Sequence, residues 1–108
     1  MESFSALADP TRRRIVELLA LHDRTAGEIV GEFEVSAPAI SQHLKVLRES
    51  GLVRVRARGQ HRIHSLEPRG LDELEEWLVK TRRLWNRRLD ALERAMREDE
   101  TTPEQKTS

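Results

Sequence analysis

Ser41, Gln42, Lys45 and Arg48 fall within eight residues of one another, and Arg54, Arg56, Arg58 and Arg62 follow within fourteen more. A hydroxyl, a carboxamide and fixed cations at this density are groups that bond to base edges and neutralise phosphates. They are poor material for catalysis. Cysteine is absent, and the serines have no base with an orienting partner. Neither a glycine-rich phosphate cradle nor a metal motif occurs. The chemistry points to recognition of a polyanion rather than to turnover.

Two elements must position these groups. Ser36 is a good N-cap, Pro38 suits a first helical turn that needs no amide there, and Gly51 supplies a left-handed stop after Ser50. Between them Ile40, Leu44 and Leu47 recur as one buried stripe. That turns Pro38, Gln42, Lys45 and Glu49 outward, with Ser41 and Arg48 on one flank. His43 sits beside the stripe, where it either supports Leu44 and the preceding helix or reads a base. Next, Val53, Val55 and Ala57 alternate with Arg54, Arg56 and Arg58, and Gly59-Gln60 reverses the chain into a return strand, His61 to Leu66. This is a hairpin tipped with arginine, able to reach phosphates or a narrow minor groove.

The chain has 108 residues, 35% of them charged, with 19 Lys/Arg against 19 Asp/Glu. A net charge of zero argues at first against a nucleic-acid partner, but the distribution is uneven. Residues 36–66 hold six basic side chains against one acidic, while 1–35 hold four against seven and 67–108 nine against eleven. A basic segment inside a neutral chain is the electrostatic footprint of a nucleic-acid reader. The lack of cysteine agrees with a reducing compartment. No apolar run approaches the roughly 20 residues of a membrane span, so a soluble cytoplasmic protein is expected.

The remaining segments support this unit. Phe4 and Leu7 lie in a short first helix, and Asp9-Pro10 opens a second that runs to about Leu21 with Ile15, Leu18 and Leu19 inward. Arg12, Arg13 and Arg14 wind round it, one of them in reach of a phosphate and the others solvent-exposed. His22-Asp23-Arg24 reads as a connection. Thr25-x-x-Glu28 has the form of a capping box for a third helix to about Phe33, with Ile29 and Phe33 inward and Glu34-Val35 as the following turn. Pro68 opens a last helix that runs to about Glu100, carrying Leu71, Leu74, Leu78, Thr81, Trp85, Leu89, Leu92 and Met96 in one stripe. About 30 residues at 1.5 Å rise span roughly 45 Å, more than a domain of this size covers alone. Phe4, Leu71, Leu74, Leu78, Trp85, Leu89 and Leu92 are therefore expected at an interface with a second chain. Residues 1–98 read as one domain and 99–108 as a disordered polar tail.

With these pieces placed, the chain resembles the ArsR/SmtB family of small bacterial winged-helix transcription factors over about residues 4 to 97. The resemblance rests on F-S-A-L-A-D-P-T-R-R-R-I-V-E-L-L from Phe4, S-x-x-x-I-S-Q-H-L-K-V-L-R from Ser36, the G-L-V after it, and R-x-G-Q-x-x-x-H-S-L from Arg58. It implies a mostly α fold with a small β-hairpin, a winged helix-turn-helix, and a long C-terminal dimerisation helix. It further implies a homodimer on double-stranded DNA that represses by excluding polymerase from a promoter. The residues expected to meet DNA are Ser36, Pro38, Ser41, Gln42, His43, Lys45 and Arg48 from the helix, with Arg56, Arg58, Gln60, His61 and Arg62 from the wing. Metal-sensing relatives use paired cysteines on the third helix or acidic and histidine ligands on the last. Here Ala26 to Glu32 contains no thiol, and Asp72, Glu73, Glu75 and Glu76 have no histidine beside them. The resemblance is therefore to the metal-free branch, with no cofactor and an effector left open. The competing reading is a winged-helix module that binds protein or RNA.

Overall fold

Three of the helices begin where the chain supplies a side chain for their unpaired amides. The computed structural model describes residues 2–107, with side chains through Asp99. It contains α1 (Glu2–Ala6), α2 (Pro10–Leu21), β1 (Arg24–Thr25), α3 (Ala26–Val30), α4 (Ala37–Glu49), β2 (Val53–Arg58), β3 (His61–Leu66) and α5 (Pro68–Thr107). The Asp9 carboxylate accepts the Arg12 amide at 3.0 Å to cap α2. Thr25 and Glu28 exchange side-chain-to-amide bonds at 3.2 and 3.1 Å, the capping box of α3. The Ser36 hydroxyl accepts the Ala39 amide at 3.3 Å. Gly51 ends α4 at φ 81°, a conformation that disfavours any side chain.

The chain divides into two units, Met1–Leu74 and Glu75–Ser108. In the first, Ile15, Ile29, Ile40, Leu47 and Leu52 are completely buried, joined by Leu19, Leu44 and Val53. The stripes expected from helical spacing on α2, α3 and α4 supply most of this core. Each such side chain contributes about 1.5–3 kcal/mol on leaving water, so burial of its inner face anchors α4.

Beside the core lies a three-stranded antiparallel sheet in the order β1-β3-β2. Val53 pairs with Leu66 at its base and Arg58 with His61 at its tip. Val53 is buried, Val55 half-buried and Ala57 exposed, so the hairpin leaves the core as it rises. The connection expected at His22-Asp23-Arg24 is in part a strand, since Arg24 and Thr25 pair with His64 and Ile63. Two residues are too few to show alternation; pairing to the open edge of β3 makes them a strand. α3 also stops at Val30, earlier than expected, because Gly31 and Glu32 turn, although Phe33 still packs on the core.

The arginines of α2 depart from expectation too. Arg12 Nε donates to the Ala6 carbonyl at 2.6 Å, and Arg13 Nη1 donates to the carbonyls of Leu7 and Ala8 at 3.0 and 3.2 Å. These tie the end of α1 to α2. Arg13 and Arg14 are nevertheless exposed as expected, Arg14 paired with Glu17.

The start of α5 belongs to the first unit. The Glu67 amide donates to the Leu52 carbonyl at 2.8 Å, and the buried Gly70 lies so close to Gly51 that a Cβ would strike its carbonyl oxygen. Leu74 is only 7% exposed and is part of the core, with Phe4 and Leu71 packed against it. Leu74, expected at an interface with a second chain, lies in the core of its own chain. A stripe along one helix looks uniform in sequence, and only the docking of its first turns reveals which members meet their own chain. In the second unit Leu78 is 55% and Trp85 45% exposed, with Leu89 and Leu92 also exposed. The Arg88 guanidinium stands 5.4 Å from the Trp85 ring centre. Residues 100–108, which hold nearly all of the expected tail, lie outside the described side chains. Among the described residues no helix is long and apolar enough to cross a membrane.

Candidate nucleic-acid interface

Ser36, Pro38, Ser41, Gln42 and Lys45 are all exposed on α4, while Ile40, Leu44 and Leu47 on its opposite side are buried. The helix is immobilised by one face and presents the other. His43 and Arg48 are half-buried at the margins.

His43 is built into the scaffold. Arg12 Nη1 approaches His43 Nδ1 at 3.3 Å, and Asp9 Oδ2 lies 3.9 Å from the same nitrogen. Only the first distance is that of a hydrogen bond, and a guanidinium can only donate. Nδ1 is therefore the acceptor, and the ring of the neutral form carries its proton on Nε2. The Arg12 amide, chiefly, holds the Asp9 carboxyl below its ordinary value, with smaller contributions from the His43 and Arg12 charges. The N-terminus of α2 and the middle of α4 thus share one polar cluster.

In the wing, alternation sorts the arginines. Arg54, Arg56 and Arg58 share a face with Ser65, Ile63 and His61, their cross-strand partners. At the base, Arg54 bonds Ser65 Oγ at 3.3 Å and pairs with Glu67 at 3.7 Å. Arg56, expected to meet DNA, pairs with Asp23 at 3.3 Å. Exposed pairs of this kind hold weakly, about 0–1 kcal/mol, but they neutralise charge at the base. Among the described residues Arg58 and Arg62 make no ion pair, so the uncompensated charge of the wing lies at its tip, where Gly59 turns at φ 63° and Gln60 and His61 are exposed.

His64 was not singled out by sequence as a site residue, although alternation places it beside Val55 and away from His61. It is 5% exposed, and its Nδ1 has no hydrogen-bond partner. Burial pushes its pKa below the ordinary value, opposed by backbone hydrogen bonding near Arg24; the charges of Arg48 and Arg62 push it further down. His61 and His64 thus lie on opposite faces of β3.

Comparison with known proteins agrees with this geometry. The family described as bacterial regulatory protein, arsR family, matches residues 9–55, from the cap of α2 into β2. The HTH-type transcriptional regulator Rv2034 of Mycobacterium tuberculosis is 46% identical over 87 residues, covering 81% of this chain and 78% of that one. The transcriptional repressor SdpR of Bacillus subtilis is 38% identical over 76 residues, covering 70% and 84%. The structure of an ArsR-like transcriptional regulator from Rhodococcus superposes with a TM-score of 0.75 at 31% identity, covering 84% and 86%. A helix clamped through its inner face with a polar face exposed, and a wing charged at its tip, are, with these relatives, the grounds on which the chain belongs to the ArsR family of winged helix-turn-helix transcriptional regulators.

Proposed function

We propose that this regulator is a homodimeric repressor that places α4 of each protomer in the major groove of an operator and the tip of the β2–β3 hairpin on the backbone or in the adjacent minor groove. The carrying observation is the free face of α4: Ser41, Gln42 and Lys45 are exposed on a helix whose other side is locked in the core. Such a face can be rigid enough to discriminate between bases. The unpaired Arg58 and Arg62 support a backbone role for the wing, since guanidiniums without counter-charge release counterions from DNA. The exposed apolar residues Leu78, Trp85, Leu89 and Leu92 support pairing of α5 with a second copy. The protein acts by occupancy, without turnover or cofactor, in the bacterial cytoplasm.

The test is fluorescence anisotropy of the protein on the duplex upstream of its own gene and on a scrambled duplex, across a salt series. Preference for the native duplex by about 4 kcal/mol or more with a steep salt slope is the expected result. Equal, weak binding there and no sequence enriched from random DNA would sink the repressor reading and favour a module that binds protein or RNA.

A further inference from the structure

Between α4 and β3 lies a cleft of about 250 Å³ lined by Ser41, Leu44 and Arg48 from the helix, Arg62 and His64 from the strand, and Ala26 from the start of α3. No carboxylate lines it, and among the described residues neither Arg48 nor Arg62 has an ion-pair partner. Two guanidiniums lining one cleft without a counter-charge disfavour each other, and both disfavour a proton on His64. An anion removes both penalties. Guanidinium forks match the tetrahedral oxygens of a phosphate, and a serine hydroxyl can add a donor. Ser41 and Arg62 are exposed at the mouth, whereas His64 is buried with Nδ1 unpartnered. The cleft is thus open to solvent on one side and ends on a titratable ring.

We propose that this cleft binds a single phosphate group, held by Arg48, Arg62 and Ser41, with the buried His64 ring registering its charge. The phosphate has two possible sources: a DNA backbone phosphate lying between reading helix and wing, or a phosphate carried by a free small molecule. Only the first source rests on the operator-binding reading; the site itself does not.

The test is an NMR titration of the full-length, isotopically labelled protein with inorganic phosphate and then pyrophosphate at constant ionic strength, following the His64 ring and the Arg48 and Arg62 side chains. The expected result is a saturable shift of these signals and a His64 titration that moves to higher pH. Arg48→Gln and Arg62→Gln should each weaken the affinity roughly tenfold or more. The Arg62 side chain is exposed, so its variant keeps the test decisive if Arg48→Gln fails to fold. A response matching that to chloride, or unchanged in the folded variants, overturns the site. Addition of the upstream duplex separates the sources. A DNA phosphate reproduces the His64 shift and competes with free phosphate, whereas a small-molecule site responds to phosphate and pyrophosphate alone. Loss of DNA binding with phosphate binding intact removes the operator reading and leaves the site; DNA binding with no phosphate response does the reverse.

Discussion

Arg12 Nη1 stands 3.3 Å from His43 Nδ1 across 31 residues of sequence, and the same guanidinium bonds the Ala6 carbonyl through Nε at 2.6 Å. One side chain therefore links α1, α2 and the middle of α4. Arg12→Ala should destabilise the fold by about 1–3 kcal/mol, the range for losing hydrogen bonds to a charged group. Urea denaturation measures this. Ring nitrogen shifts of the unaltered protein should show the neutral His43 protonated on Nε2; a proton on Nδ1 would refute the assigned bond.

Gln42 and Arg58 should fail differently. Gln42→Ala is expected to reduce discrimination between the operator and mismatched duplexes by about 1–3 kcal/mol, the worth of a bidentate base contact. Arg58→Ala should weaken all duplexes alike and lower the salt slope by about one. Anisotropy on matched and mismatched DNA distinguishes them, and a uniform loss in the Gln42 variant would remove its reading role.

Along α5, neighbouring leucines should also behave differently. Leu78→Glu with Trp85→Glu is expected to give monomers by sedimentation equilibrium, because both side chains are exposed in the single chain. Leu74→Ala should instead destabilise the fold by about 2–5 kcal/mol through a core cavity. A stable dimer from the first pair would place the interface elsewhere.

Two glycine replacements make a control pair. A Cβ at Gly70 meets the backbone of Gly51 and Leu52, whereas one at Gly27 meets nothing closer than Thr25 Oγ1 at 3.9 Å. Gly70→Ala should lower stability by about 1–3 kcal/mol as overpacking, while Gly27→Ala, inside α3, should be neutral or raise it by up to about 1 kcal/mol. Thermal melts of both variants decide.

The pH dependence follows from His64. Its folded pKa is depressed from 6.5, chiefly by burial, so the unfolded chain takes up a proton first as pH falls. The contribution of the neutral ring is complete above about 6.5 and is lost as pH drops from there through the folded value. Asp9, also depressed, contributes above its ordinary value of 3.8 and loses that contribution at still lower pH. Urea midpoints between pH 8 and 5 should therefore decline in the unaltered protein and decline less in His64→Gln; parallel curves would exclude His64 as the cause.

What the sequence determined by itself was everything governed by near neighbours. Caps at Asp9, Thr25 and Ser36, the left-handed stop at Gly51, the turn at Gly59 and the stripes of Ile40, Leu44 and Leu47 depend on residues within a few positions, so the winged helix-turn-helix and the exposed polar face of α4 could be written down in advance. The basic segment was equally legible, because charge per segment is a count. The tertiary structure alone decided which members of a motif are used, since that depends on distances between residues far apart in the chain. Arg12 and Arg13 became braces because the carbonyls at the end of α1 come within reach. Arg56 found Asp23, and Leu74 turned inward where α5 docks. Arg24 and Thr25 became a strand because β3 had an open edge beside them. Arg48 and Arg62 came to face one cleft over His64 only because the pleat of β3 and the flank of α4 meet there, a juxtaposition that no local spacing encodes.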